Sequence, residues 1–256
     1  MVEYWEKIAP YYDIGEEGEE TKKQRMIEID FLQYIFKEIA RREIKTVLDI
    51  CCGTGRWAIP LASKGFTVTG IDKHKKMLEI AKKKAKEQNL KIDFKEGDMR
   101  NIHAMEKVDA ILISNGIYFL LSHDDILKAL SGFFRSLEEG GVLIFNVPNF
   151  IGREQSDQQI ETFQGKNASC MEIRKLVHID DVKAIAHEEW MSIVDDRGKL
   201  CMISGEVKTK FLSYEEVRTL LQNSGFTEDK IYCFPSYEAR DEVKDQAEDL
   251  IFVVVR

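Results

Sequence analysis

The residues best suited to chemistry surround one glycine-rich turn. Residues 51–55, with the sequence CCGTG, follow a compact apolar segment, and helix-like patterning resumes at Trp57. A glycine turn between a strand and a helix lets backbone N–H groups approach a ligand, which then lies at the helix N-terminus. Residues 53–58 also satisfy the loose pattern G-x-G-x-x-A of dinucleotide-binding turns. This pattern predicts a site for a nucleotide-like ligand.

Three aspartates occupy the ends of successive predicted strands. Asp49 lies within the first strand just before the turn, Asp72 ends the second strand, and Asp98 follows the third. The carboxyl ends of parallel strands line the ligand crevice of open α/β sheets, so we expect the three side chains to meet at one edge. A carboxylate in the position of Asp72 can accept hydrogen bonds from both hydroxyls of a ribose.

Hydrophobic periodicity places these residues on a regular framework. We predict helices at 19–42, 57–63, 75–88, 122–137 and 214–224, and strands at 46–50, 66–71, 92–95, 109–114 and 142–147. Five strands alternating with helices imply a parallel sheet with right-handed crossovers. Residues 168–212 alternate at period two, with a turn at 195–198, and predict an antiparallel meander. Residues 231–234 and 251–255 are predicted to be closing strands.

Composition narrows the class of protein. The chain has 256 residues, with 37 basic and 45 acidic side chains and a formal net charge of −8. An acidic chain is poorly suited to a nucleic-acid partner, because affinity for phosphates comes from lysine and arginine. The sequence has no apolar run near the roughly 18 residues of a membrane span and no apolar signal core at its start. Its five cysteines lack zinc-site spacing, so we expect a reduced, cytoplasmic protein without disulfides.

In combination, these motifs resemble the class I S-adenosylmethionine-dependent methyltransferases. Residues 47–55 (VLDICCGTG) look like the first motif of that family, and residues 70–72 (GID) resemble its second. Residues 97–99 (GDM) resemble its adenine-side motif, and 137–141 (LEEGG) the turn before its fifth strand. The resemblance covers about residues 44–147. One departure is Cys51, which stands where a glycine is common.

The resemblance implies S-adenosylmethionine as cofactor and gives roles to the motif residues. The backbone of residues 51–55 would hold its methionine part, Asp72 would bind the ribose hydroxyls, and Asp98 with Met99 would flank the adenine. Asp49 would orient the loop. The complete set of expected cofactor-binding residues is Tyr12, Asp49, Cys51, Cys52, Gly53, Gly55, Asp72, Lys73, Asp98, Met99, Ser114 and Asn115.

The expected reaction is a direct displacement, because a sulfonium already carries an activated methyl group. Alignment of the reacting groups can supply about 7–11 kcal/mol of the barrier. Residues 114–118 read SNGIY, not the Asn-Pro-Pro-Tyr that the family uses for amide and adenine N-methylation. No acid ends the fourth strand, where metal-dependent catechol-type relatives bind magnesium, so we expect no metal. The sequence does not single out a catalytic base.

Two segments outside the core are predicted to cover the acceptor. Residues 4–13 are rich in aromatic side chains and resemble the lids of small-molecule methyltransferases, with Tyr12 favoured over Tyr11; simple packing on the sheet is an equal alternative. The meander would lie over the acceptor side, and its polar and aromatic residues are candidate contacts. The candidates for acceptor binding are Tyr118, Arg174, His178 and Trp190, with His187 as a further possibility.

These inferences define the predicted fold and function. The fold class is α/β, with a doubly wound, mostly parallel, seven-stranded Rossmann-like sheet and an antiparallel β insertion after the fifth strand. The predicted divisions are a lid and helix at 1–43, a cofactor-binding core at 44–150 and 213–256, and the insertion at 151–212.

The predicted function is methyl transfer to a small molecule, with three alternatives. These are an RNA or protein acceptor, a cofactor-binding module without catalysis, and a nicotinamide-dependent dehydrogenase on the same fold. The dehydrogenase is disfavoured because the chain beyond residue 147 does not supply a second mononucleotide half. Lysines within 73–95 are interpreted as a solvated helix face and not as a tRNA-binding stripe. A monomer and a homodimer both remain open.

Overall fold

The computed structural model describes residues 2–16, 18–102, 106–148, 158–243 and 249–256. Its helices are α1 (Val2–Tyr12), α2 (Glu19–Glu38), α3 (Ala58–Ser63), α4 (Lys75–Glu87), α5 (His123–Ser136) and α6 (Tyr214–Asn223). Its strands are β1 (Thr46–Ile50), β2 (Thr67–Asp72), β3 (Asp93–Glu96), β4 (Val108–Ile113), β5 (Leu137–Pro148), β6 (Gln158–Gln164), β7 (Ala168–Asp180), β8 (Ile185–Asp196), β9 (Lys199–Lys210), β10 (Ile231–Phe234) and β11 (Asp249–Val255).

Within the described residues, seven strands form one sheet in the order β10-β11-β5-β4-β1-β2-β3. Strands β1 to β5 run parallel, whereas β11 is antiparallel to both of its neighbours. Helices cover both faces: α5 and α6 pack on one, and α2, α3 and α4 pack on the other. The predicted doubly wound, mostly parallel sheet is therefore confirmed. Its order brings the carboxyl ends of β1, β2 and β4 to one edge.

The predicted meander forms a second sheet, which the described residues build from four antiparallel strands in the order β6-β7-β8-β9. Helix α1 packs against this sheet, and the hydroxyl groups of Tyr4 and Ser192 lie 2.9 Å apart. Tyr4, Ile8 and Ala9 are buried in the contact. The aromatic N-terminal segment is thus a helix that joins the second sheet to the core.

Several predicted boundaries differ from the structure. The second sheet begins with β6 at residue 158, ten residues before the predicted meander, because β6 is an almost fully exposed edge strand whose polar sequence shows no apolar alternation. Strand β5 begins at Leu137, and the predicted glycine turn lies inside it at a register shift opposite β4. Helix α1 was not predicted as a helix, and α2 ends four residues early.

Ser122 precedes the first residue of α5. Its side chain accepts a hydrogen bond from the backbone N–H of Asp125 and so caps α5. In the part of the chain that the structure describes, no helix combines the length and apolar character needed to cross a membrane.

Candidate functional site

The carboxyl edge of the parallel sheet opens into a cavity of about 490 Å³, a size typical of small-molecule sites. The strand ends form one wall of the cavity, and α1 with the second sheet forms the other. The predicted residues that line it are Tyr12, Asp49, Cys51, Cys52, Gly53, Asp72, Lys73, Asp98, Met99, Ser114, Asn115, Tyr118, Arg174 and Trp190. Three predicted residues, Gly55, His178 and His187, are not among the lining residues.

The glycine turn supplies backbone to this cavity. Cys51, Gly53 and Gly55 all adopt positive φ values, of 57°, 52° and 88°. A Cβ on Gly53 would meet no atom within 4 Å, whereas one on Gly55 would lie 2.9 Å from the side chain of Ile59. Gly53 therefore borders open space, and Gly55 serves the packing of α3. Cys51 holds a left-handed conformation that favours glycine, which explains why a glycine is common there.

Asp72 connects β2 to the glycine turn. Its Oδ2 accepts a hydrogen bond of 2.8 Å from the backbone N–H of Gly53. Its Oδ1 accepts from the backbone N–H of His74 at 2.8 Å and lies 2.8 Å from Nδ1 of the same residue. The residue is only 6% exposed. Its carboxylate is thus fixed at the cavity wall by neighbours from both sides.

Asp49 lies at the end of β1, and its carboxyl group has a raised pKa. Its carboxyl group accepts a hydrogen bond from the backbone N–H of Ala58, which ties β1 to the start of α3. Burial raises the pKa of Asp49 to about 8, and the nearby charge of Asp72 adds to the effect. Its Oδ2 is buried and has no hydrogen-bond partner in the described structure. Asp49 is therefore largely protonated at neutral pH.

Asp98 is engaged by a residue that the sequence analysis missed. The Arg100 guanidinium donates to both carboxylate oxygens, from Nε at 2.9 Å and from Nη2 at 2.7 Å. These charged hydrogen bonds lower the pKa of Asp98. Arg100 also contacts Asp125 at 3.3 Å, which links this edge to α5. Met99 lies buried beside the pair.

The end of β4 is fixed by an amide pair. Asn115 has a positive φ of 50°. Its backbone N–H donates to Oδ1 of Asn146 at 2.7 Å, and Nδ2 of Asn146 donates to its side-chain oxygen at 2.7 Å. Asn146 lies on β5, 31 residues away, so no local sequence signal indicated it. The pair holds Ser114 and Asn115 at the cavity.

This wall can accommodate S-adenosylmethionine. Gly53 borders open space, Asp72 presents a carboxylate, and Asp49 Oδ2 and His74 Nε2 are buried polar atoms that lack partners among the described residues. Such atoms carry a desolvation cost that a polar ligand can relieve. Within the described ranges, no three His, Cys, Asp or Glu side chains are grouped to hold a metal ion.

Comparison with known proteins identifies the family. Residues 47–141 match the model of the methyltransferase domain family. A Geobacillus protein named as a methyltransferase is 26% identical over 88% of this chain and 90% of its own length.

The chain contains a methyltransferase domain at residues 47–141, and its fold is that of S-adenosylmethionine-dependent methyltransferases.

Two solved structures share the fold of this methyltransferase. An S-adenosylmethionine-dependent methyltransferase from Clostridium acetobutylicum covers 97% of each chain with a TM-score of 0.78 at 19% identity. The sugar N-methyltransferase KedS8 from Streptoalloteichus covers 96% of this chain and 92% of its own, with a TM-score of 0.73 at 18% identity. The family assignment confirms the predicted class and cofactor, and it replaces the dehydrogenase and non-catalytic alternatives.

The opposite wall of the methyltransferase cavity is aromatic. Trp5 of α1 is its centre, with ring centroids 5.5 Å from Trp190, 6.1 Å from Phe119 and 6.2 Å from Tyr12. The sequence analysis selected Tyr12, Tyr118 and Trp190 for the site but not Trp5 or Phe119. Trp5 lies on the side of α1 that faces the cavity, whereas its neighbour Tyr4 is buried against the second sheet. The sequence analysis did not predict α1 as a helix, so it could not tell which of the two residues faces the cavity.

Charged residues border the aromatic wall. Arg174 lies 4.6 Å above the Trp190 ring and donates to the carboxylate of Glu172 at 2.6 Å. Both residues line the cavity. His178, which was predicted to contact the acceptor, is instead exposed further along β7, with its ring 5.7 Å from His187. A bulge in the β7–β8 pairing between Leu176 and His178 separates the two positions.

The segment after α1 is anchored to the glycine turn. Asp13 accepts a hydrogen bond of 2.7 Å from the Thr54 hydroxyl and pairs with Lys84 at 2.9 Å. Glu16 forms ion pairs with Arg25 and Arg56. Glu28 on α2 accepts further bonds from Arg56 and from Nε1 of the Trp57 indole. Polar contacts therefore close the cavity on the side of α1.

Proposed function

We propose that this methyltransferase transfers the methyl group of S-adenosylmethionine to a small-molecule acceptor held between the strand ends and Trp5. The observation that carries this proposal is the closure of the cavity by α1 and the second sheet. Trp5 and Trp190 line the same cavity as the glycine turn, and a bulky polymer that entered between them would have to displace both. The cavity of about 490 Å³ must hold both the cofactor and the acceptor, which favours an acceptor of small size.

The strand-end wall is assigned to the cofactor. Asp72 would accept hydrogen bonds from the ribose, Asp98 and Met99 would border the adenine, and residues 51–55 would receive the methionine part. When bound, S-adenosylmethionine supplies a methyl group that is already activated for displacement. The two hydrogen bonds between Asn115 and Asn146 tie the end of β4 to β5 and limit how far this wall can move.

The aromatic wall is assigned to the acceptor. Trp5, Tyr118, Phe119 and Trp190 would exclude water and orient the acceptor, while Glu172 and Arg174 provide polar anchors. Holding both reactants in line can supply about 7–11 kcal/mol of the barrier. Exclusion of water also strengthens every electrostatic contact inside the cavity. Positioning by these side chains is the main catalytic contribution that we assign to the chain.

The name of one relative suggests where to begin the search for the acceptor. KedS8 is a sugar N-methyltransferase of the same fold, so amino sugars are the first small molecules to test here. Transfer to an amine would require its neutral form, because the nitrogen lone pair attacks the methyl carbon. RNA and protein acceptors form the second candidate class.

The proposal extends to organisation and location. We assign residues 1–43 to a lid and helix, 44–150 with 213–256 to the cofactor-binding core, and 151–212 to the acceptor-side insertion. All five cysteines carry free thiols, which suits a reducing cytoplasm. Analytical ultracentrifugation would decide between the monomer and the homodimer.

The decisive experiment incubates the protein with radiolabelled S-adenosylmethionine and three acceptor pools. The pools are small metabolites including amino sugars, total RNA, and protein extract, with each labelled product identified by mass. We expect label in the first pool. Label confined to RNA or protein would contradict the small-molecule proposal without affecting the cofactor assignment.

A variant pair tests the division into two walls. Trp5→Ala should raise the acceptor KM by about tenfold and change the Kd of S-adenosylhomocysteine by less than twofold, because Trp5 belongs to the acceptor wall. The exposed Met26 on α2 provides the control, Met26→Ala, for loss of a large apolar side chain. An equal loss in both constants would show that Trp5 serves the cofactor.

A further inference from the structure

The outer face of the second sheet carries apolar side chains. Ser192 and Val194 on β8 are fully buried on the side of α1. Alternate residues of a strand point to opposite faces, so Met191 and Ile193 point outward. Residues paired directly across neighbouring antiparallel strands share a face. The register therefore places seven large apolar residues on the outer face: Ile160, Met171, Ile173, Met191, Ile193, Leu200 and Met202.

Four of these side chains are strongly exposed in the single chain. Leu200 is 71% exposed, Met202 69%, Ile160 57% and Met171 40%. None of the seven residues is part of the three hydrophobic clusters of the described structure. Single exposed apolar residues are normal, but a contiguous patch across four strands is typical of an interaction surface. We therefore expect this face to be covered in solution.

A charged row borders the patch at one end. The register aligns Lys175 on β7 with Glu189 on β8 and Glu206 on β9, and all three are exposed. Lys175 lies two positions along β7 from Ile173, so the row shares the outer face. Glu189 and Glu206 are directly opposite each other, and like charges in this position are destabilising. A further positive charge over this row would relieve the repulsion.

A second copy of the chain supplies that charge. If two outer faces pack with a two-fold axis along the strands, each row meets the same row of the other copy in reversed strand order. Lys175 then lies across from Glu189 of the partner subunit. An axis perpendicular to the strands would instead bring Glu189 over Asp195, which lies at the other end of the same face of β8. The charges therefore fit a second copy in one orientation and oppose the other.

The face is large enough for a dimer. Strands β8 and β9 have 12 residues each, which corresponds to a length of about 40 Å, and four strands span about 19 Å. Because β6 has only seven residues, the face offers roughly 700 Å² of flat area to each copy. Two copies would bury roughly 1,400 Å², within the range of about 1,200–2,000 Å² for specific interfaces. Sheets packed face to face lie about 10 Å apart, a distance that lysine and glutamate side chains can span together.

We propose that the outer face of the second sheet is a homodimer interface, in which two copies pack face to face about a two-fold axis along their strands. Burial of the apolar patch supplies the affinity, and the contacts between Lys175 and Glu189 set the orientation. The proposal depends on neither the cofactor assignment nor the identity of the acceptor, because none of these residues lines the cavity.

The first test disrupts the apolar contact. Sedimentation velocity over a wide range of concentrations should show a dimer for the wild type. Met171→Glu places a charge within the patch and should raise the dimer Kd at least tenfold, because an unpaired charge is costly to bury. Met26→Glu, at an exposed methionine on α2, is the matched control and should leave the dimer Kd unchanged.

The second test exchanges charges between copies. Lys175→Glu and Glu189→Lys each bring like charges together across the axis, so each variant alone should dimerise weakly. A mixture of the two variants places opposite charges in both contacts. In fluorescence anisotropy, labelled Lys175→Glu should bind Glu189→Lys about tenfold more tightly than it binds unlabelled Lys175→Glu. Contacts within one chain cannot produce this gain, because each chain in the mixture keeps its own pair of like charges.

Three outcomes contradict the proposal. A wild type that remains monomeric at all concentrations overturns it, and the face would then serve a different partner. An unchanged dimer Kd in Met171→Glu places the interface elsewhere. Equal binding in the mixture and in the single variants overturns the two-fold orientation. Circular dichroism checks folding, and an unchanged Kd of S-adenosylhomocysteine in all variants keeps these outcomes separate from those of the proposed function.

Discussion

The two walls of the cavity are built by different means. The wall that we propose for the cofactor, called the cofactor wall below, comes mainly from residues 49–115 and consists of backbone groups and short polar side chains at strand ends. The acceptor wall combines α1 with strands β7 and β8, which lie more than 150 residues away along the chain, and its contacts are edge-on aromatic rings and an ion pair. Backbone and side-chain hydrogen bonds fix the first wall to the sheet, whereas aromatic packing and a few polar side-chain contacts hold the second.

Because the two walls are held differently, we expect changes in each wall to affect a different step of binding. The hydrogen bonds at Asp72, Asn115 and Gly53 leave their atoms little freedom, so changes there should act on cofactor affinity. The segment after α1 is held by a few side-chain bonds of Asp13 and Glu16, so changes there should act on closure. Three predictions test this separation.

The largest effect is expected at the cofactor wall. Asp72→Ala removes the acceptor for Gly53 N–H and His74 as well as the proposed ribose contact. Charge-assisted hydrogen bonds contribute roughly 1.5–3 kcal/mol each, so the Kd of S-adenosylhomocysteine should rise at least tenfold in calorimetry. The control is Asp93→Asn, at an exposed aspartate on the edge strand β3, which should leave the Kd unchanged. An unaltered affinity in Asp72→Ala would refute the cofactor assignment.

An intermediate effect is expected for the buried acid of the same wall. The pKa of Asp49 is about 8 in the folded protein against an ordinary value of 3.8. The folded state therefore binds the proton more tightly than the unfolded state, and the free energy of unfolding falls as pH rises from about 4 to 8. The slope approaches about 1.4 kcal/mol per pH unit.

Asp49→Asn removes this ionisation and keeps an oxygen for the N–H of Ala58. Urea denaturation at pH 6, 7 and 8 should show the variant gaining stability relative to the wild type by about 1 kcal/mol per pH unit. If the difference in the free energy of unfolding between Asp49→Asn and the wild type does not vary with pH, the pKa of the Asp49 carboxyl is not raised.

The smallest effect is expected at the anchor of the lid. Asp13→Ala removes the bonds to Thr54 and Lys84, which are partly exposed and contribute about 1 kcal/mol or less. Dissociation of S-adenosylhomocysteine, followed by stopped-flow fluorescence, should accelerate about twofold to fivefold. Glu3→Ala, which breaks an exposed ion pair with Lys7 on α1, is the matched control. Equal rates in all three proteins would show that opening of this segment does not limit release.

Deleting the whole N-terminal segment would not test the lid cleanly. Tyr4, Ile8 and Ala9 are buried against the second sheet, and the Tyr4 hydroxyl contacts Ser192. Removing α1 would therefore expose the core of that sheet. The alternative interpretation of the aromatic segment was simple packing on a sheet. Tyr4 packs in this way, whereas Trp5 and Tyr12 border the cavity.

The sequence alone determined the parallel sheet, its order of helices and strands, and many of the residues that line the strand-end wall of the cavity. Asp49, Asp72 and Asp98 could be placed together because each follows from the end of a strand, and strand ends meet at one edge whatever the side-chain packing. Such local patterns need only the few residues on either side. The positive φ of Cys51 and the polar edge strand β6 lay outside those patterns.

Only the tertiary structure decided the acceptor wall and the partners that fix the cofactor wall. Trp5 meets Trp190 across 185 residues of chain, and Asn115 meets Asn146 across two elements. No periodicity encodes such pairs, because they depend on how α1, β5 and the second sheet pack onto the core. The same packing buries Asp49 and His74, since burial is a property of the assembled fold and not of any segment.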